Sequence, residues 1–360
     1  MKFIHCADIH LDSPLRGLER YEGAPVAQIR GAVRQAFIQM IDLCLQEEVA
    51  FLLIAGDLYD GDWLDFSTGL FFVQQMKRLD RVSIPVYVVR GNHDAASQMT
   101  KSLPFPSNVF IFPVDKPKTI RLESCRVAIH GHSYRSEAVR DNLAAGYPAP
   151  VQGYFNIGLL HTGLDGRSGH APYAPCTLAD LTAREYDYWA LGHIHQRALI
   201  SSDPVVLFPG NIQGRHIRET GAKGCTLVTV MDGRVTEMGH QSVDVVRWVL
   251  LEVDLTGVAT LEEVGRLVRE ALIREVDQVG DRLLVVRLRL LGRCQAHALL
   301  WGEERGLVAH FRALALDVGT IWLEKLERAT AMPGVVGRSI DGWVRIQRHW
   351  LVFVLKWNHC

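Results

Sequence analysis

Two short runs without a polar residue, 51–55 and 86–89, end directly in Gly56-Asp57 and in Gly91-Asn92-His93-Asp94. Uninterrupted apolar runs of this length read as strands covered on both faces. Strands of that kind need helices on one side and a second layer on the other, which confines the chain to a layered α/β architecture. The spacing between them agrees. A strand is predicted over 2–7, and a helix over 26–48, where Val26, Ile29, Val33, Phe37, Met40, Ile41, Cys44 and Leu45 recur at steps of three and four. A second helix is predicted over 66–79. After residue 105 the pattern changes to short strands at 108–112, 118–123, 125–131, 156–161, 188–192, 205–208, 224–231 and 234–239, which predicts a second sheet packed on the first.

Near residue 244 a new block begins. A strand at 248–255 precedes a helix opened by Thr260 and Glu263 as a capping box. A strand over 282–290 places Arg287 and Arg289 on one face and Val286, Leu288 and Leu290 on the other. A further strand lies near 320–326. The expected organisation is a larger domain over 1–243, a small α/β domain over 244–330, and a tail over 331–360 that holds Trp343, Trp350 and Trp357.

Composition excludes several classes. Thirty-nine Lys and Arg against 40 Asp and Glu give a net charge of −1, so contact with nucleic acid must come from local patches rather than bulk charge. The seven cysteines form no C-x-x-C pair and are odd in number, which argues against a disulfide scaffold and for reduced thiols. The N-terminus reaches Asp8 and His10 too early for a signal peptide, and no apolar run approaches the roughly 20 residues of a membrane helix. A cytoplasmic protein is expected.

Five polar motifs stand at predicted strand ends: Asp8-Ile9-His10, Gly56-Asp57-Leu58-Tyr59-Asp60, Gly91-Asn92-His93-Asp94, His161 and Gly192-His193-Ile194-His195. In open sheets ligand sites lie at the carboxyl ends of strands. Carboxylates, an amide and imidazoles without thiolates suit manganese, iron or zinc better than calcium. The set is too rich for one ion. Two ions sharing a carboxylate could clamp a phosphoryl displacement and activate a bridging water. The glycines at 56, 91 and 192 are expected to turn the backbone tightly before each ligand, and the i, i+2 spacings to aim side chains to one side of an extended segment. Asp60 is expected to hold its loop. His132 is expected to be a loop residue, Cys6 a core residue, and His216 a weaker candidate beside the site.

Together the five motifs resemble those of the calcineurin-like metallophosphoesterases. The opening Asp8-Ile9-His10-Leu11-Asp12-Ser13-Pro14, with GDLYD and GNHD, is similar to the DNA-repair nuclease branch of SbcD-type subunits, and most of all to YhaO-type exonuclease-like proteins. The resemblance implies a β-sandwich flanked by helices with a small α/β capping domain. It also implies a Mn²⁺-dependent phosphodiesterase, an exonuclease on DNA, in which a metal-bridging hydroxide attacks phosphorus. One metal would take Asp8, His10, Asp57 and His195, and the other Asp57, Asn92, His161 and His193. His93 would face the phosphate as the catalytic residue. Arg287 and Arg289 are candidate DNA contacts from the cap. An SMC-like coiled-coil ATPase and a second copy of the chain are the partners such nucleases take, although residues 331–360 do not match the usual ATPase-docking region. Two alternatives stay open: a phosphodiesterase for nucleotides or other small molecules, and a DNA- or ATPase-binding subunit with little activity of its own.

Overall fold

The computed structural model describes residues 1–13, 15, 23–60, 66–96, 105–164, 173–302 and 304–334. Pro14 and the Trp-rich segment from residue 335 onward lie outside the described residues. In chain order the first elements are β1 (Lys2–Cys6), α1 (Val26–Gln46), β2 (Phe51–Ala55), α2 (Ser67–Asp80), β3 (Val86–Val89), α3 (Asn92–Ala96) and β4 (Val109–Ile111). There follow β5 (Lys118–Leu122), β6 (Val127–Gly131), β7 (Phe155–His161), α4 (Leu178–Thr182), β8 (Tyr188–Gly192), β9 (Ala198–Ser202), β10 (Val205–Phe208), β11 (Gly224–Met231) and β12 (Arg234–Ser242). The last block is β13 (Val246–Asp254), α5 (Leu261–Val279), β14 (Leu283–Arg293), α6 (His297–Leu300), α7 (Glu304–Val318) and β15 (Ile321–Ala331).

Two six-stranded mixed sheets stack face to face. Their orders are β12-β11-β1-β2-β3-β4 and β5-β6-β7-β8-β10-β9. The expectation that every strand after residue 105 enters the second sheet is corrected here: β4, β11 and β12 join the first. The reason is backbone pairing. On the side away from β2, the buried β1 still needs hydrogen-bond partners, and β11 supplies them antiparallel, Ile4 opposite Leu227. β9, which pairs antiparallel with β10, lies outside the strands that the sequence pattern predicts.

The core follows the layers. Phe3, Phe51, Leu53, Leu159, Tyr188 and Leu207 fill the space between the sheets. Phe37, Met40, Ile54, Phe72 and Met76 pack α1 and α2 on the outer face of the first sheet. This is the helix-flanked β-sandwich that the resemblance implies.

A third sheet, β13-β14-β15, is all parallel. It carries α5 and α7 on one face, where Val264, Val268 and Phe311 pack with Leu284, Val286 and Leu288. Its other face begins apolar, with Trp248, Val285 and Trp322 seated against Ile29 and Ala32 of α1. Further along the same face stand Arg287 and Arg289. At the start of α5 the capping box is half formed. The Thr260 hydroxyl accepts the Glu263 N–H at 3.2 Å, while the Glu263 carboxylate reaches the Ala259 N–H rather than that of Thr260.

Candidate metal centre

The carboxyl ends of β1, β2 and β3 in one sheet and of β7 and β8 in the other open onto the same place, and the five motifs meet there. Asp8, His10 and His195 bring ligand atoms within 4.8 Å of one another, and so do Asp57, His161 and His193. Asp57 stands between the groups: its Oδ2 is 3.4 Å from His161 Nε2 and 3.9 Å from His10 Nε2. Asn92 Oδ1 lies 3.1 Å from His161 Nε2.

The local backbone differs from the expectation. Asp8, His10, Asp57 and His193 all have positive φ, so these candidate donors do not sit on extended segments. Backbone hydrogen bonds from Asp8 N to Gly56 O and from His10 N to Asp57 O hold the strained residues. Strain of this kind aims Asp8 and His10 together, and it sends His193 and His195 to different groups. Of the three glycines, only Gly56 has positive φ. Gly91 and Gly192 are needed for close approach: a Cβ at Gly91 would lie 2.2 Å from Asp57 Oδ1, and one at Gly192 would lie 1.9 Å from Ala55 O.

The donor set fits cations. His161 Nδ1 donates to Ala55 O at 2.9 Å, which leaves Nε2 as a lone pair facing the Asn92 carbonyl oxygen and the Asp57 carboxylate. His195 Nδ1 donates to Glu219 at 2.6 Å, so its Nε2 lone pair faces His10 Nε2 at 3.3 Å. Acceptors crowded against acceptors call for a positive charge between them, either a proton or a metal ion. Proton affinities register the same demand. Burial opposes protonation at His161, but Asp57 outweighs burial and pushes the imidazole up to about 9. Burial likewise favours neutral Asp57, yet His161, His10 and His93 hold its carboxyl well below the usual range.

His93 lies at the rim, its side chain 43% exposed. Nδ1 is 2.8 Å from Asp60 Oδ1, and this bond raises the pKa of His93. Asp60 therefore does more than hold its loop, although it also accepts the Ser13 hydroxyl at 2.6 Å. Asp94 is buried and accepts the backbone N–H groups of Leu58, Tyr59 and Gly91, which locks the second motif to the third.

Sequence reasoning missed Glu219 and Arg215. Glu219 is buried and receives His195 Nδ1–H, Asn211 Nδ2 and Arg215 N. The available signal was the polar stretch 211–223 following the buried β10. His216, the residue singled out there, is 54% exposed and 3.8 Å from Glu219. His132 is a loop residue bonded to Val114 O, and the Cys6 thiol points to Leu53 O in the core, as expected. Arg287 and Arg289 lie on the third sheet and already hold carboxylates. Arg287 grips Glu324 through two hydrogen bonds of 2.8 and 2.7 Å, and Arg289 bonds Glu327 and Glu252. A phosphate reaching either arginine would compete with those partners.

Comparison with known proteins agrees with this geometry. Residues 1–197 match the family described as calcineurin-like phosphoesterase, and residues 248–331 match the one described as metallophosphoesterase YhaO, middle domain. The chain is 39% identical over 274 residues to the uncharacterized metallophosphoesterase YhaO of Bacillus subtilis (strain 168), covering 75% of this chain and 67% of that protein. It is 25% identical over 243 residues to the DNA double-strand break repair protein Mre11 of Sulfurisphaera tokodaii, covering 63% of this chain and 59% of that protein. Set beside two groups of carboxylate and imidazole donors joined at Asp57, these matches place the chain in the calcineurin-like phosphoesterase family.

Proposed function

We propose that the chain is a dinuclear metal-dependent phosphodiesterase that acts on DNA as an exonuclease. In this reading residues 1–243 form the catalytic domain, 244–330 cap it, and DNA and an SMC-like ATPase are its partners. The observation that carries the chemistry is the pair of donor groups joined at Asp57, with His93 and Asp60 beside them. Asp8, His10, Asp57 and His195 would hold one divalent cation and Asp57, Asn92, His161 and His193 the other, Mn²⁺ suiting this oxygen and nitrogen set. When bound, such cations neutralise phosphate oxygens and make water nucleophilic near neutral pH.

The chain's own residues supply the rest. Asp60 takes the Nδ1–H of His93, which fixes the ring and leaves Nε2 as the atom that gives a proton to the departing oxygen. Asp57 Oδ1 accepts the His93 backbone N–H at 3.0 Å, so the acid is tied to the bridging carboxylate. DNA as substrate rests on the SbcD-like opening and the Mre11 relative. Among the described residues the six cysteines are free and most of them buried, which supports a reducing, cytoplasmic setting. Among the described residues no helix is long and apolar enough to cross a membrane.

One observation favours a nucleotide-sized diester instead: the cap arginines are held by glutamates. The test is digestion of end-labelled duplex DNA with Mn²⁺, beside the Asp57→Ala variant and a small chromogenic diester. Shortening of DNA by the wild type alone supports the nuclease. Diester cleavage without DNA cleavage selects the small substrate. Turnover retained in Asp57→Ala overturns the dinuclear site.

A further inference from the structure

The stretch between β10 and β11 places a cation where the proposed chemistry has not yet used one. The Arg215 side chain is 12% exposed. Its Nη2 lies 3.3 Å from Glu219 Oε1 and 3.4 Å from His195 Nδ1. Its Nη1 lies 3.4 Å from the Ser13 hydroxyl and 3.8 Å from Asp60 Oδ2. The two carboxylates it joins have parallel duties. Glu219 receives the Nδ1–H of His195, a ligand in the first donor group, and Asp60 receives that of His93. Glu219 is buried and Asp60 half-buried, and carboxylates so withdrawn from water are held ionised by compensating charge and hydrogen bonds. Glu219 also has the backbone N–H of Arg215 and the amide of Asn211, whereas Asp60 has the Ser13 hydroxyl, His93 and, at 3.5 Å, His10 Nδ1. One guanidinium therefore serves two histidines that face the same reaction from different sides.

We propose that Arg215 is a positioning residue: by holding Glu219 and Asp60 together it orients His195 toward the metal and His93 toward the leaving group. This rests on the phosphoesterase reading above. A planar guanidinium can address two carboxylates at once, and an ammonium cannot do so with the same geometry.

The experiment compares Arg215→Met and Arg215→Lys with Glu219→Gln and Asp60→Asn in the full chain. Mn²⁺ affinity is measured by calorimetry without substrate, and kcat and KM with a chromogenic diester at saturating Mn²⁺. Loss of the carboxylate behind a ligating imidazole weakens metal binding by roughly 10- to 100-fold, so Glu219→Gln should fall in that range. Asp60→Asn should lower kcat by roughly 10-fold or more, the scale of a mis-set general acid, and should weaken Mn²⁺ binding less than Glu219→Gln does, because Asp60 Oδ1 lies 3.5 Å from His10 Nδ1 whereas Glu219 holds His195 at 2.6 Å. Arg215→Met should show both effects with KM little changed, and Arg215→Lys should recover part of each. An Arg215→Met variant with wild-type Mn²⁺ affinity overturns the proposal, as does one that raises KM alone, which would mark a direct phosphate contact. If the wild type cleaves no diester, the functional reading fails instead, and the Mn²⁺ affinities of Arg215→Met and Glu219→Gln still decide for or against the tether.

Discussion

Gly91→Ala isolates how tightly the Asp57 carboxylate is set. Gly91 does not have positive φ, so alanine meets no backbone penalty there. The obstacle is steric. The new Cβ would lie 2.2 Å from Asp57 Oδ1 and 2.9 Å from both its Cγ and its backbone nitrogen. That is about 1 Å inside contact distance, and the nearest atoms belong to a buried side chain fixed on two sides. Asp57 Oδ1 already accepts the His93 N–H, and Oδ2 faces His161 and His10. Relief requires the carboxylate to shift by about the overlap. Overpacking of this size costs about 1–3 kcal/mol of stability. A misplacement of about 1 Å in catalytic machinery costs on the order of 100-fold in rate, or about 2.7 kcal/mol of barrier. The assay is kcat on a diester at saturating Mn²⁺, with Mn²⁺ affinity by calorimetry and the urea midpoint on the same preparations. Gly158→Ala is the control. Its Cβ would meet the Trp189 ring at 2.3 Å, away from the donor groups, so it should lose a similar amount of stability while keeping Mn²⁺ affinity. If Gly91→Ala retains kcat and Mn²⁺ affinity within about threefold of wild type, well short of the loss expected for a displaced ligand, Asp57 is not held at a set position by the third motif, and the reasoning fails.

Two further outcomes follow from the scaffold. His5 lies between the sheets, its Nδ1 accepting from the Tyr188 hydroxyl and its Nε2 donating to Leu191 O, and burial lowers its pKa to about 3. The unfolded chain takes up this proton near pH 6.5 and the folded one does not, so the contribution to stability is complete above about pH 6.5 and drains away as pH falls toward 3. Between about pH 6.5 and 4.5 the loss is about 2.3 kcal/mol. Urea midpoints of wild type and His5→Gln should converge over that interval, and parallel curves would refute the assignment. Thr260→Ala removes the cap of α5 and should cost about 1 kcal/mol, read as faster amide exchange in α5, with Mn²⁺ affinity unchanged.

The layered fold was legible because its signals are local. The continuous runs of β2 and β3 and the three-and-four spacing of α1 each report burial within a few residues. The order of the five motifs gave the ligand candidates in the same way. What escaped is set by tertiary partners. β9, Ala198-Leu199-Ile200-Ser201-Ser202, carries no clear alternation and owes its state to β10. The pairing of Asp60 with His93 spans two strands, and that of Glu219 with His195 depends on a return of the chain after β10. The i, i+2 argument assumed extended backbone at these donors, whereas the φ values of Asp8, His10 and His193 are positive. Arg287 and Arg289 were placed on the right face, but their glutamate partners come from β13 and β15, which no pattern within β14 reveals.

The strained residues and the division of ligands have one cause. Asp8 and His10 follow β1 and Asp57 follows β2, all in the first sheet, whereas His161 ends β7 and His193 and His195 follow β8 in the second. Each donor group therefore draws on both sheets, and neither exists until the sandwich has packed. The contact that aligns them is itself polar: both Asp8 carboxylate oxygens accept the His193 N–H, at 3.1 and 3.0 Å. Left-handed backbone at a non-glycine residue costs on the order of 1–3 kcal/mol, and Asp8, His10, Asp57 and His193 all carry that cost. A local turn could not hold them against it. The sheets can, because Phe3, Phe51, Leu159 and Tyr188 are already packed between them. Cations that bind only the assembled groups would then stabilise the packed sandwich by mass action, so the same geometry that positions the ligands makes metal binding and sheet packing favour each other.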